Sequence, residues 1–159
     1  MNRIPFFIII CFFCLSSQAE DFKKISGAFG ILLNKELPKD MKFTKAGGLS
    51  KELKFRYEQK ENETDFKEII AFVHPVSKKV YSVIAFKIFQ FEEDAVRFQA
   101  KLIKKVEAEY GRNIIGGTTV QGDKMVQVSY VKNRKIVLYA FTDMILRKDA
   151  HIKLGMRKK

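Results

Sequence analysis

Residues 125–141 read MVQVSYVKNRKIVLYAF, and apolar and polar side chains alternate in this segment on both sides of a polar centre. Alternation with a period of two is typical of a half-buried β-strand. Centring a hairpin on Asn133 and Arg134 places Val128 opposite Tyr139. One face of that hairpin then carries a continuous apolar and aromatic set: Val126, Val128, Tyr130, Val137, Tyr139 and Phe141. The stretch therefore predicts an antiparallel sheet with one buried face.

Three further segments extend the predicted sheet. Residues 66–91 read as another hairpin, with its loop at residues 74–79, and Pro75 ends the first strand because proline cannot donate to a ladder. The second strand of this hairpin is apolar on both faces, which predicts a central position. Residues 52–59, ELKFRYEQ, alternate like an additional half-buried strand. An N-terminal strand is predicted from Ala28 to Leu33, and residues 39–51 are predicted to form a loop because they are rich in turn formers.

The pattern changes to a helical period at residues 92–110. Apolar side chains recur there at spacings of three and four: Ala95, Phe98, Leu102, Val106 and Tyr110. Acids occupy the first turn, where the helix dipole favours them, and Gly111 supplies a stop signal. Asp143 is predicted to cap a further helix that runs through about Leu154.

Together these segments predict an α+β fold. It consists of an antiparallel sheet, made of two hairpins and an N-terminal strand, with one firm helix at about 92–110 and a C-terminal helix. The order of a hairpin followed by a helix occurs at 66–110 and again at 125–154, which leaves a ββα duplication open.

The first 19 residues have the layout of a secretory signal peptide. Arg3 precedes an apolar run over residues 4–15, and the small residues Ser17 and Ala19 stand at positions −3 and −1 of a cleavage site after Ala19. The apolar run has 12 residues, whereas a membrane-spanning helix needs about 20, so we expect no transmembrane anchor. The predicted organisation is a cleaved signal peptide at 1–19, a single α+β domain at 20–155 and a basic tail at 156–159. The predicted location is periplasmic or secreted.

Cleavage after Ala19 would also remove Cys11 and Cys14, the two cysteines of the chain. The processed chain would then have no thiol, which excludes disulfides, zinc-thiolate sites and a cysteine nucleophile. It would keep 29 Lys and Arg against 18 Asp and Glu, a net charge of +11. Such a charge either keeps the domain soluble or attracts a polyanion.

The basic hairpin loops are the binding residues that the sequence offers: Lys78, Lys79, Lys132, Arg134 and Lys135. A polyanion site predicts that the two loops converge on one face. We expect the partner to be an envelope protein or an anionic envelope component, because export separates the chain from nucleic acid. The sequence does not determine the oligomeric state.

Residue patterns for catalysis and metal binding are weak. We expect His74 to be an exposed turn residue and His151 to lie on a solvated helix face, and no HxxxH or HExxH spacing indicates zinc. The carboxylates that could serve a hydrolase are residues 92–94 together with Glu107 or Glu109. The helix dipole explains the first group more simply. We therefore assign no catalytic residue, metal or cofactor, and we favour a non-catalytic role while leaving an enzyme open.

Three motifs support a resemblance over residues 27–111: GAFGILL followed by LP, then FVHPVSKKVYSVIAF, then a charged helix that ends in EYG. In this order the chain resembles short exported proteins of Gram-negative bacteria. Such proteins are uncharacterised, so the resemblance implies a fold and a periplasmic compartment and no site residue.

The function predicted from these observations is that of a non-catalytic exported binding protein of the bacterial envelope, such as an adaptor, an inhibitor or an immunity-like protein. The alternatives are a protein that binds polyanions or lipid surfaces and, with less support, a carboxylate-dependent envelope hydrolase.

Overall fold

The structure of the protein, a computed structural model, describes residues 21–47, 51–60, 63–111 and 116–155. The predicted signal peptide and basic tail lie outside the described residues. In chain order the elements are β1 (Gly27–Ala28), β2 (Ile31–Leu32), β3 (Phe43–Lys45), β4 (Leu53–Tyr57), β5 (Glu68–Val73), β6 (Val80–Ile88), α1 (Glu92–Tyr110), β7 (Thr118–Gln121), β8 (Lys124–Val131), β9 (Ile136–Asp143) and α2 (Met144–Lys153). The predicted α+β class with an antiparallel sheet and helices is confirmed.

Seven strands form one antiparallel sheet in the order β3-β4-β5-β6-β9-β8-β7. The strand β6 lies in its middle, as its two apolar faces predict. Val128 pairs with Tyr139 in the β8–β9 hairpin, so the register read from the sequence is confirmed. Residues 132–134 form one turn of 3₁₀ helix between these strands.

Two local predictions are wrong. Residues 28–33 do not form one strand, because Phe29 and Gly30 both take positive φ values, 54° and 75°, and reverse the chain into the small β1–β2 hairpin. That pair of angles is the signature of a tight hairpin turn. The segment 39–51 is not all loop either, since β3 pairs with β4 at the edge of the sheet. A three-residue edge strand is too short to produce a readable alternation.

One face of the sheet, the covered face, is buried beneath α1 and the N-terminal segment. Its buried side chains come from every central strand, including Ile69, Val83, Val128, Tyr139 and Phe141. The predicted stripe of α1 packs on it through Leu102, Val106 and Tyr110. The N-terminal segment adds Ile25, Ile31 and Leu33 to the same core. Burial on this face supplies the main driving force for folding.

The opposite face, the open face, carries the side chains of alternate residues on the same strands. The pairing of Ile70 with Ile84 and of Ile84 with Ala140 places these three residues in one row across the sheet. Phe72, Phe86 and Leu138 follow in neighbouring rows. All six side chains remain partly exposed.

The short helix α2 lies at one end of the open face. Its N-terminus is capped as predicted, because the Asp143 side chain accepts a hydrogen bond of 2.9 Å from the Leu146 N–H. Ala150 is its buried residue, and its Arg147 lines a small cavity together with Phe72 and Ile84. Within the described ranges, no helix combines the length and the apolar character needed to cross a membrane.

Candidate functional site

A long groove runs beside α1 on the covered side of the sheet. It consists of three adjoining cavities of about 370, 570 and 340 Å³. Phe98 and Lys101 line the first two cavities, while Phe29, Lys105 and Tyr139 line the last two. We call this continuous groove the α1 trough. The central cavity has the size of a typical small-molecule pocket.

The floor of the α1 trough is aromatic. Phe66 stands at its centre, with its ring centroid 5.5 Å from that of Phe29, 5.8 Å from that of Phe98 and 5.9 Å from that of Tyr139. Phe89 extends the floor, 5.3 Å from Phe98. Burial raises the pKa of Tyr139, so its phenol stays neutral at physiological pH and adds no charge to the floor. Lys87 Nζ lies over two of these rings, 5.0 Å from the centroid of Phe98 and 5.5 Å from that of Phe89, so the floor combines ring surfaces with one cation.

The chain reversal at Phe29 is what completes this floor. The β1–β2 hairpin brings the Phe29 ring to within 6.4 Å of the ring of Tyr139, although the two residues are far apart in sequence. Phe66 arrives from the segment before β5, and Phe98 from the second turn of α1. Four separate segments thus contribute to one floor.

The helical wall of the trough carries a row of cations. Arg97, Lys101 and Lys105 recur every fourth residue and therefore lie on one side of α1, over about 12 Å. Arg97 approaches Asp94 at 3.9 Å. For Lys101 and Lys105 the described part of the chain provides neither a hydrogen bond nor an ion pair. Like charges at this spacing destabilise a helix by about 0.2–0.5 kcal/mol per pair.

The opposite wall contains the acids Glu63 and Asp65. Glu63 is already engaged, because its carboxylate accepts hydrogen bonds from the Tyr57 hydroxyl at 2.8 Å and from the Lys60 N–H at 3.0 Å. These bonds lower the pKa of Glu63, the backbone bond from Lys60 most of all. Glu63 therefore stays ionised while it holds its own loop, so the central cavity contains two acids, Glu63 and Asp65, as well as the cations Lys101 and Lys105.

At its C-terminal end the helix is fastened to the N-terminal segment. Lys23 Nζ lies 2.6 Å from Glu109 Oε1, and the Lys23 N–H donates to the Glu109 carbonyl at 2.8 Å. The hydrogen bond to Glu109 raises the pKa of Lys23. Gln121 continues this connection by donating to the carbonyls of Tyr110 and Lys23 at 2.8 and 3.1 Å. The far end of the trough is thus held by fixed contacts.

The predicted convergence of the basic hairpin loops is wrong. Ser82 pairs with Thr142 near the loop of residues 74–79, whereas Ile88 pairs with Ile136 beside the loop of residues 132–135. The loops therefore lie at opposite ends of β6, about 25 Å apart at 3.3 Å per residue.

Local contacts already engage several of these loop cations. Lys132 lies 3.4 Å from Glu92, Lys135 donates to the Gln90 carbonyl at 2.7 Å, and Lys78 donates to the Pro75 carbonyl at 2.7 Å. The five residues Lys78, Lys79, Lys132, Arg134 and Lys135 therefore form no common patch, and a binding role for either loop stays a prediction.

The carboxylates proposed for a hydrolase do not meet. Glu92 and Glu109 stand at opposite ends of α1, about 25 Å apart at 1.5 Å per residue. Glycosidases place their two carboxyl groups roughly 5–10 Å apart. Glu107 is about 20–22 Å along the helix from residues 92–94, which are exposed at the first turn. This pairing of acids is therefore wrong.

His74 is not the exposed turn residue that the sequence predicts, whereas His151 lies on helix α2, as predicted, and is partly exposed. His74 is 3% exposed; its Nε2 lies 2.9 Å from Asp149 Oδ2, and its Nδ1 accepts from the N–H groups of Val76 and Ser77. His151 lies 3.3 Å from Glu52 Oε1 and is 30% exposed. Both therefore help to attach α2 to the sheet.

A polar cluster surrounds Glu52 at this end. Glu52 accepts a hydrogen bond of 2.9 Å from the Tyr81 hydroxyl and lies 3.4 Å from Lys54 Nζ. Among the described residues, no three His, Cys, Asp or Glu side chains are arranged to hold a metal ion.

Comparison with known proteins gives no match: no protein-family model, no curated protein and no solved structure is significantly similar to the chain.

Sequence reasoning missed the α1 trough as a site. Arg97, Lys101 and Lys105 recur at every fourth position, and this spacing is visible in the sequence. It is the signal that could have indicated the trough. The aromatic floor has no such signal, because its rings come from four segments that meet only in the folded chain.

Proposed function

We propose that this protein is a non-catalytic, exported binding protein that holds an envelope amphiphile in the α1 trough. The amphiphile would have an anionic group on an apolar body. The observation that carries the proposal is the coincidence of a cationic row, Lys101 and Lys105, with an aromatic floor in one groove. The expected location is periplasmic or secreted, from the predicted signal peptide at residues 1–19.

The two parts of the ligand follow from the two parts of the groove. An anionic oxygen can lie between Lys101 and Lys105, whose Cβ atoms are about 6 Å apart on one helix face. The apolar body can lie over Phe29, Phe66 and Phe98, where it displaces water from ring surfaces. A ligand with both features uses the helical wall and the aromatic floor of the trough.

Magnitudes favour an amphiphile over a simple polyanion. An exposed ion pair contributes about 0.2–1 kcal/mol, so two lysines supply at most about 2 kcal/mol. Burying about 200 Å² of apolar ligand surface contributes about 5 kcal/mol, at roughly 25 cal/mol per Å². The apolar body would therefore provide most of the affinity, and salt would weaken binding without abolishing it.

Calorimetric titration of the processed chain tests the proposal with three probes below their micellar concentrations. Dodecyl phosphate has both parts, dodecyl maltoside has the chain with an uncharged head, and glycerol phosphate has the charged head alone. We expect the first to bind most tightly, the second several-fold more weakly, and the third not measurably. Equal binding of glycerol phosphate and dodecyl phosphate, or binding of no probe, would overturn the proposal.

A pair of variants locates the site. The double substitution Lys101→Glu with Lys105→Glu should weaken dodecyl phosphate binding by about tenfold or more, since it reverses two contacts that together are worth about 2 kcal/mol. Lys104→Glu with Lys148→Glu is the matched control, because it makes the same change in net charge at two exposed helical cations that lie outside the residues lining the trough. Equal losses in both variants would mean that only the overall charge matters.

The adaptor, inhibitor or immunity-like role is the second candidate. The open face favours it, because large apolar surfaces that remain exposed are typical of protein interfaces. Under this candidate the partner would be an envelope protein that covers the open face.

A further inference from the structure

A second cavity, which we call the α2 pocket, lies on the open face of the sheet next to α2. Its volume is about 200 Å³, and Arg147 lines it from the helix. Its floor is apolar and comes from three adjacent strands: Phe72, Ile84, Leu138 and Ala140. Polar side chains of the sheet also line it: Ser82, Gln127, Ser129 and Thr142. The α2 pocket therefore combines a cation and several hydrogen-bonding groups with an apolar surface.

Arg147 has no counterion within the described part of the chain. Its guanidinium forms neither an ion pair nor a hydrogen bond with the described residues, and the residue is exposed. Burial raises the pKa of Tyr81, and the charge of Arg147 opposes part of this rise. The guanidinium is therefore close enough to act on the end of the pocket where Tyr81 lies. An unpaired cation beside a cavity attracts an anion.

Glu52 is the acid that lines the α2 pocket, and its charge is already engaged. Its carboxylate accepts a hydrogen bond of 2.9 Å from the Tyr81 hydroxyl and lies 3.4 Å from Lys54 Nζ. The His151 ring also approaches it, with Nε2 at 3.3 Å. Lys54 is thus within ion-pair distance of Glu52, whereas Arg147 is not. Among the described lining residues, the charge of Arg147 is therefore left uncompensated.

Two side chains of β8 still have hydrogen atoms to donate to a ligand in the α2 pocket. The hydroxyl hydrogens of Ser82 and Thr142 are used within the sheet, because Ser82 donates to the Phe141 carbonyl at 3.1 Å and Thr142, 2.9 Å away, then donates to Ser82. The side chains of Gln127 and Ser129, by contrast, form no hydrogen bond with the described residues. Both can therefore donate to an anionic oxygen.

We propose that the α2 pocket binds a small monocarboxylate with a short apolar chain. The planar guanidinium of Arg147 matches the two oxygens of a carboxylate, and its single charge balances that of one carboxylate. A phosphate dianion would leave one charge unbalanced. The apolar chain would lie over Phe72, Ile84 and Leu138. Liquid water takes about 30 Å³ per molecule, so a pocket of this volume suits a ligand of about six carbons.

The α2 pocket and the α1 trough lie on opposite sides of the sheet. Their lining residues alternate along β9, since Leu138 and Ala140 line the pocket whereas Tyr139 lines the trough. The inference therefore does not rest on the proposed function. The double substitution Lys101→Glu with Lys105→Glu should leave binding in the α2 pocket unchanged, so each site can fail its own test without the other.

Titration of the processed chain, followed by ¹H–¹⁵N spectra near neutral pH, tests the inference with three probes of equal chain length. Hexanoate has a carboxylate, hexan-1-ol has an uncharged head and hexylamine has a cationic head. Each is added up to about 30 mM, since a ligand with so few atoms is expected to have a millimolar Kd. We expect hexanoate to cause saturable shifts at residues 82–84, 138–142 and 146–148, hexan-1-ol to bind about fivefold more weakly or less, and hexylamine not to bind. Equal binding of hexanoate and hexan-1-ol, or no saturable shift with hexanoate at these residues, would overturn the inference.

Substitution of Arg147 gives a second readout that does not depend on destabilising the fold, because this side chain has no partner among the described residues. Arg147→Gln should weaken hexanoate binding about tenfold or more and leave hexan-1-ol binding unchanged, since it removes the cation alone. Lys148→Gln is the matched control, because Lys148 is the exposed neighbour on the same helix and does not line the pocket. Arg147→Lys should give an intermediate loss, because lysine keeps the charge without the planar pair of donors. Equal losses in Arg147→Gln and Lys148→Gln would overturn the inference.

Discussion

The two faces of the seven-stranded sheet are both apolar along β5, β6 and β9, yet only one of them is covered. On the covered face Val83, Val128 and Phe141 are at most 1% exposed beneath α1 and the N-terminal segment. On the open face Ile84, Phe86 and Leu138 remain partly exposed. The difference shows what a strand pattern can predict. Alternation along a strand identifies which face is buried, whereas a strand that is apolar on both faces does not show what covers the second face.

The largest expected effect tests this difference directly. Phe141→Ala should lower the free energy of unfolding by about 3–5 kcal/mol, because it leaves a cavity in the closed core. Phe86→Ala on the open face should cost at most about 2 kcal/mol, since its ring is already partly in water. Urea unfolding at low protein concentration measures both. Equal losses would mean that the open face is covered in the monomer.

The next prediction concerns the contacts that hold α2 at the end of the open face. His74→Ala should cost about 2 kcal/mol, because it removes a side chain that is 3% exposed together with its hydrogen bonds to the Val76 and Ser77 N–H groups and to Asp149. Asp149→Asn is the milder companion, since its side chain is 51% exposed and the amide oxygen can still accept from Nε2. Urea unfolding should rank these two variants in that order, and the reverse order would show that the contact with Asp149, rather than the turn, holds the segment.

High pH should affect tyrosines from both faces. Burial raises the pKa of Tyr139 on the covered face, and burial together with the hydrogen bond to Glu52 raises that of Tyr81 beneath α2. The unfolded chain therefore loses these protons near pH 10 while the folded chain keeps them, so stability falls as pH rises. The slope should be up to about 1.4 kcal/mol per pH unit for each tyrosine. Urea unfolding between pH 9 and about 11 measures it, and Tyr139→Phe should reduce the slope. A slope that is the same in Tyr139→Phe as in the unchanged chain would contradict a contribution of Tyr139 to this pH dependence.

The smallest expected effect concerns α2 alone. Asp143→Ala removes the cap on the Leu146 N–H and should cost about 1 kcal/mol. Amide exchange should increase in residues 144–153 and stay unchanged in α1. Increased exchange along α1 would show that the two helices are coupled through the sheet.

Much of the fold could be predicted because it depends on local pattern. The register that pairs Val128 with Tyr139, the bounds of α1 and the Asp143 cap all follow from spacing over a few residues. The strand β3 could not be predicted because three residues give no period. The β1–β2 reversal could not be predicted because Phe29 is an unusual residue at positive φ.

The candidate site was less predictable, for a physical reason. The cations Lys101 and Lys105 belong to one helix and can be read from the sequence. The floor requires Phe29, Phe66 and Tyr139 to meet, and each comes from a segment distant in the chain. His74 shows the same limit, since its partner Asp149 lies 75 residues away.

The proposed function requires that the covered side of the sheet binds an anionic amphiphile through the α1 trough. Its most direct test is a two-dimensional ¹H–¹⁵N spectrum of the processed chain, recorded during titration with dodecyl phosphate. We expect the shifted amides to cluster at residues 97–105 and around Phe29 and Phe66. Shifts that cluster instead on the open face, around Ile84 and Leu138, or in the loops at residues 74–79 and 132–135, would contradict it.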